Sequence, residues 1–270
     1  MQGQNRKFIL LSFDVEEFDI PLNHNVSLGT DEQWEIGHQG LLNIQKLFDL
    51  HKNISGTFFT TANFAQIFPE SIRNISLKNE IASHTVSNSI YQKGDLIKSK
   101  RILEEIVLKN VNGLRMPQMR EVDMAELKLA RYIYDASINP TWLPGHYNNL
   151  HKPRSAFLEN GIFRIPASVS PHIRIPLFWL SFKNFPYWYF KKLALSTLKK
   201  DGYLSLYFHP WEFTDLSLYK IPWYIKRHSK RDLLDKLNYF IQDFKKDSDF
   251  ITMYDYTSKM TTYRSAAEHI

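Results

Sequence analysis

The chain has 270 residues, 43% of them hydrophobic and none of them cysteine. It can therefore bury a full core, while disulfides, thiolate metal sites and cysteine nucleophiles are excluded. Its formal net charge of +6 reads as a mild excess spread along the chain, with no arginine-rich arm, zinc-finger spacing or RNP-like motif to point to nucleic acid.

Taken in order, the first element is KFILLSFD (7–14), a continuous apolar run that predicts a buried strand. The core of that run, FILLSF, is six residues long and ends in acids, too short for a signal-peptide or membrane segment. A cytoplasmic location is the resulting expectation. GLLNIQKLFDLHK then carries apolar residues at helical spacing, and ISGTFFTT (54–61) and EIASHT (80–85) read as further strands. DLIKSKRILEEIVLK is a second amphipathic helix, followed by a strand at GLRMP (113–117). Residues 140–190 are rich in proline and aromatics and predict irregular loops and short helices. YLSLYFHP (203–210), the helix RDLLDKLNYFIQDFKK and DFITMYDY (249–256) complete the series. Strands alternating with helices, without repeat or linker, predict one α/β domain over 1–270, a parallel sheet or barrel.

In α/β barrels the reacting groups sit at the carboxyl ends of strands, so those ends are compared together. In SFDVEEFD, alternation along a strand places Asp14 and Glu16 on one side. The acids Asp14, Glu16, Glu17 and Asp19 read either as base and ligand or as an acidic loop capping a helix. His84 closes its strand, and Asn88 would share its face if the chain turned helical there; a hydrogen-bonded structural histidine is the other reading. Arg115 is a surface arginine unless its guanidinium pins a carboxylate such as Asp14. His209, held between an apolar strand and Pro210–Trp211, suits a general acid or a core histidine equally.

Together the segments LLSFDVEEFD, SGTFFTTANFA, EIASHTVSNS, GLRMP, YDASINPTWLPG and YLSLYFHPWEF resemble, in order, the polysaccharide deacetylase family, the NodB-homology carbohydrate esterases. The resemblance implies a distorted (β/α)7-like barrel in a single domain. It also implies a divalent metal, zinc or similar, held by an acid and two histidines. Carried over residue by residue, Asp14 matches the base, Arg115 the residue that orients it, and His209 the general acid. His84 matches the first histidine ligand and Glu16 the acidic one. Asn88 stands where the second histidine is expected, and its amide oxygen is a weaker donor for zinc, so the metal is expected to be weakly held or absent. Trp142 and Trp211 are candidates for the substrate wall, with core positions as the alternative.

The function so implied is hydrolysis of an N-acyl group, most simply acetyl, from an amino sugar in a glycan or a lipid-linked sugar precursor. The alternatives are a non-catalytic carbohydrate-binding protein and a metal-independent amidase on a small non-sugar substrate. The aromatic and basic stretches 175–192 and 221–227 suit the headgroup level of a membrane, or else the barrel core and its rim. His24, His38 and His146 are the histidines left to replace the missing ligand.

Overall fold

The first strand, β1 (Lys7–Val15), has eight of its nine residues buried, and this is why its sequence is almost continuously apolar. It pairs in parallel with three later segments, along 8–13 with β10 (Tyr203–Phe208), along 7–9 with β11 (Ser248–Phe250) and along 12–15 with β2 (Thr57–Thr60). The computed structural model describes residues 6–268. The other strands are β3 (Glu80–Ser83), β4 (Gly113–Leu114), β5 (Tyr134–Asp135), β6 (Trp142–Leu143), β7 (Tyr147–Asn148), β8 (Phe157–Glu159) and β9 (Ile162–Arg164). The helices are α1 (Thr30–Asp49), α2 (Ala62–Ile67), α3 (Pro69–Ser76), α4 (Asp95–Val107), α5 (Met124–Leu129), α6 (Trp179–Asn184), α7 (Tyr187–Asp201), α8 (Trp223–Lys226), α9 (Arg231–Phe244) and α10 (Met253–Glu268).

The sheet runs β10-β1-β2-β3-β4-β5-β9-β8 and is parallel except for the β8–β9 hairpin; β6 and β7 form a separate hairpin. It curls into a half-barrel, and the segment after β9 bends back to β10. There the Ser168 N–H donates to the Ser205 carbonyl and the Ser205 N–H to the Ser168 hydroxyl, both at 2.9 Å. This is the distorted α/β barrel expected from the sequence.

Alternation sorts the strand residues into two cores. Ile9, Leu11, Phe13 and Val15 face the helices, whereas Phe8 and Leu10 join Phe59, Ala82, Tyr134, Ala136 and Tyr203 in a second cluster, with Met253 and Tyr256 of α10. Continuing the period on that second face brings Ser12 and Asp14 from β1, Glu16 just after it, His84 after β3, Arg115 after β4 and His209 after β10. One face thus turns from apolar at the amino ends to polar at the carboxyl ends.

Several boundaries differ from expectation. The strand expected over 249–256 stops at Phe250, because Thr252 caps α10, its hydroxyl accepting from the Asp255 N–H at 3.0 Å. GLRMP contributes only Gly113–Leu114 to the sheet. Helix α1 begins at Thr30, upstream of the apolar pattern, which misses the first turns because Gln33, Gly37 and Gly40 hold the packed positions there. A Cβ on Gly37 would lie 2.6 Å from the Glu16 carbonyl oxygen, and one on Gly40 only 1.8 Å from that of Pro210. The glycines let α1 seat the backbones that carry Glu16 and His209. Gly40→Ala should therefore lower stability by about 3 kcal/mol, measured by urea unfolding.

At the lower end of the interior, Glu80 accepts from the Tyr134 hydroxyl and the Thr57 hydroxyl, both at 2.8 Å, and from the Tyr254 N–H at 3.1 Å. Burial pushes its carboxyl up to about 7 even though these donors favour the charged form. The penalty for the charge is therefore present above pH 7 and relieved as pH falls through 7, where the folded protein takes up a proton. Tyr134 donates to the charged form, so Tyr134→Phe should cost about 2 kcal/mol at pH 8 and about 1 at pH 5, read by denaturant titration at both pH values.

Candidate active site

The centre of the site is a buried ion pair. Arg115 Nη1 donates to Asp14 Oδ1 at 2.6 Å, Nε donates to the Ala136 carbonyl at 3.2 Å, and the guanidinium lies over the Phe59 ring at 4.1 Å and the Tyr207 ring at 5.2 Å. Burial works against the charge on Asp14. Arg115, with His84 and His209 behind it, outweighs burial and holds the carboxyl below its ordinary range.

His84 sits where the chain leaves β3, and the next residue, Thr85, takes a left-handed φ of 64°, a strained value for a β-branched residue. Its Nδ1 lies 2.8 Å from the Arg115 carbonyl oxygen. That oxygen can only accept, so Nδ1 carries the hydrogen and Nε2 presents a lone pair. Glu16 Oε2 lies 3.2 Å from that lone pair. Burial holds the pKa of His84 below its usual value, and burial raises that of Glu16 well above the carboxylate range, with the charges of Asp19, Asp14 and Glu17 adding to it and His209 opposing.

His209 is held from the other side. Its backbone N–H donates to Glu212 Oε1 at 2.8 Å, and Nδ1 lies 3.2 Å from the same oxygen. The second Glu212 oxygen is 3.1 Å from Lys183 Nζ, in an ion pair fully removed from solvent. The imidazole stacks on Trp211 at 4.9 Å and meets the edge of Trp179 at 5.2 Å. Burial alone would discharge it, but Glu212 and then Glu16 keep its pKa above the ordinary value. Its Nε2 points toward Glu16 Oε1, 4.0 Å away.

Asn88 is not on a helix; the segment after His84 is irregular, so the four-residue spacing has no helical meaning. The side-chain Nδ2 donates to Asp19 Oδ2 at 3.0 Å, and Arg120 holds the Asn88 carbonyl at 3.2 Å. Two donors on a tetrahedral zinc, with bonds of about 2.0–2.1 Å, lie about 3.3 Å apart. Glu16 and His84 meet that spacing, but Asn88 is turned to Asp19, and among the described residues no group of three or more His, Cys, Asp and Glu could hold a metal. The donors present do not complete a zinc site. Nor do the spare histidines: His38 pairs with the Ser71 hydroxyl at 2.8 Å and stacks on Phe68, while His24 and His146 are exposed.

Trp142 is 59% exposed on the β6–β7 hairpin, whereas Trp211 is buried beneath His209 and forms a floor under the ring instead of a wall open to substrate. Two residues of the site were not singled out from sequence. Glu212 had a signal, the His-x-x-Glu spacing of a turn whose carboxylate reaches back to the histidine N–H. Lys183 had none, being one lysine in an aromatic stretch.

No protein-family model matches the sequence. No curated protein matches it either. The likeness to known proteins lies in the structure. A Mycobacterium smegmatis protein assigned as a polysaccharide deacetylase superposes with a TM-score of 0.65 at 17% identity, covering 98% of this chain and 93% of its own. A Pseudomonas aeruginosa PAO1 protein with the same assignment gives 0.63 at 15% identity, over 94% and 91%. Puue allantoinase gives 0.62 at 19%, over 96% and 91%. The chain has the fold of the polysaccharide deacetylases.

If Asn88 is the missing donor, Asn88→His should tighten zinc binding by about 100-fold or more, measured by calorimetry on chelator-treated protein. Unchanged affinity would place the third ligand elsewhere.

Proposed function

We propose that the protein is a hydrolase of the polysaccharide deacetylase type, removing an N-acyl group, acetyl in the simplest case, from an amino sugar of a glycan or glycan precursor. The observation that carries this reading is that two adjoining strand ends bear a carboxylate paired with a guanidinium and an imidazole paired with a carboxylate. Phe13 and Phe208 are partners in the β1–β10 register, so the residues that follow them, Asp14 and His209, adjoin at the carboxyl end. The Arg115 guanidinium holds the Asp14 carboxyl below its ordinary range against burial, while Glu212 and Glu16 hold the His209 imidazole above its own against burial. A base and an acid tuned apart in this way suit amide hydrolysis.

In the proposed reaction Asp14 takes a proton from water as its oxygen attacks the amide carbonyl carbon. The tetrahedral adduct then collapses, the C–N bond breaks, and His209 gives its Nε2 proton to the departing nitrogen, leaving a free amine and a carboxylate. Of Glu16, His84 and Asn88, the positions proposed for a cation, only the first two face each other while Asn88 is turned to Asp19, and the proposed reaction runs on Asp14 and His209 alone. Trp142 is the proposed contact with sugar, and the carbohydrate is the proposed partner.

A second reading, a metal-independent amidase on a small non-sugar substrate, draws on the incomplete donor set and on the shared fold with Puue allantoinase. Release of amine and acetate from N-acetylated oligosaccharides, beside allantoin as the small substrate, separates the two. Asp14→Asn should lower kcat by about 1000-fold, and His209→Ala and Glu212→Gln by about 100-fold and 10-fold. Turnover unaffected by Asp14→Asn would end the hydrolase mechanism, and sugar binding without turnover would favour a carbohydrate-binding protein.

A further inference from the structure

The positive charge is not spread as the overall count suggests. Residues 160–200 contain seven Lys and Arg and no Asp or Glu, and residues 216–231 contain five and none. The rest of the chain carries 22 basic against 28 acidic residues, so these two stretches hold the whole excess.

The fold brings parts of both stretches together. Asn184 Nδ2 donates to the Tyr224 carbonyl at 2.9 Å and Lys183 Nζ to that of Ile225 at 2.8 Å, which ties the end of α6 to α8. Lys236 of α9 donates to the Phe185 carbonyl at 2.7 Å and fixes the α6–α7 junction beside them. On these joined segments three aromatics turn outward, Trp188 at 69% exposure, Trp223 at 63% and Tyr224 at 43%, while Trp179, Phe182 and Phe190 are buried. Lys192 and Arg227 are exposed among them, with the Arg227 guanidinium 5.1 Å from the Trp223 ring. Two exposed indoles framed by cations, on segments free of acids, match the interfacial layer of an anionic bilayer, where an amphipathic ring and a phosphate are met together.

We propose that the face made by the α6–α7 junction and α8 docks on an anionic phospholipid membrane. Trp188, Trp223 and Tyr224 enter the headgroup layer, and Lys192 and Arg227 meet lipid phosphates. Among the described residues no helix is long and apolar enough to cross a membrane, so the contact is peripheral. Lys183 links this face to Glu212 and hence to His209, so docking sets the candidate site beside the lipid surface.

The test is co-sedimentation of the full chain with vesicles of phosphatidylcholine containing phosphatidylglycerol, against pure phosphatidylcholine, at low and moderate salt. The expected result is binding to the anionic vesicles that weakens with salt. The Trp188→Ser/Trp223→Ser variant should bind at least about tenfold more weakly, and Lys192→Glu/Arg227→Glu at least about fivefold, with unchanged circular dichroism melts. No binding at low salt, or equal binding by the tryptophan variant, overturns the proposal. So does a dimer, seen by analytical ultracentrifugation, that the tryptophan variant abolishes, since the face would then belong to a second copy. Hydrolysis of a soluble N-acetylated oligosaccharide, expected to be equal in wild type and both variants, reports on the proposed reaction separately from docking.

Discussion

A guanidinium buried in the middle of a protein must be matched or it unfolds its surroundings, and Arg115 sets that requirement here. Removing one partner of such a pair typically costs 3–5 kcal/mol, because a charge is left in a poor solvent. The matching is spread over four strands: Asp14 after the apolar part of β1, the Ala136 carbonyl after β5, and the faces of Phe59 and Tyr207 from β2 and β10. The Arg115 carbonyl, meanwhile, fixes the tautomer of His84. One residue therefore sets the ionisation of the proposed base and the direction of a neighbouring lone pair.

Around this centre the chain accepts local cost. Glu16, Glu17 and Asp19 crowd one loop, each with its pKa raised by burial, and for Glu16 and Glu17 neighbouring acids raise it further. Thr85 keeps a left-handed backbone beside them. Such conflicts survive where the surrounding packing over-determines them, and here the packing is unusually close. Gly37 and Gly40 allow α1 to touch the backbones on both sides of the site, so the loops after β1 and β10 rest on a rigid helix.

Much of this was legible in the sequence. The apolar runs at 7–14, 80–85 and 203–210 each match the strand found there to within two residues, because buried parallel strands have little freedom in composition. Period two placed Asp14 and Glu16 together, and the structure keeps them on one face. What failed to show were features that depend on partners far away in the chain. Asn88 looked like a helical neighbour of His84, but its direction is set by Asp19, 69 residues earlier. Lys183 is buried only because Glu212 and the Ile225 carbonyl await it. The two-residue strand β5 is too short to leave a periodic mark, and the hairpins within residues 140–190 form through contacts no local pattern encodes.

The placement of β1 has a consequence for synthesis. Its partners at 203–208 and 248–250 leave the ribosome long after it does. At about 5–20 residues per second, the first strand waits roughly 10–50 s for the last of them. Until β10 emerges, a nascent chain holds KFILLSF with only the short β2 as a strand partner. Expression at reduced translation speed would lengthen this exposure, and a holdase chaperone that occupies the segment would shorten the time in which it can find another copy of itself.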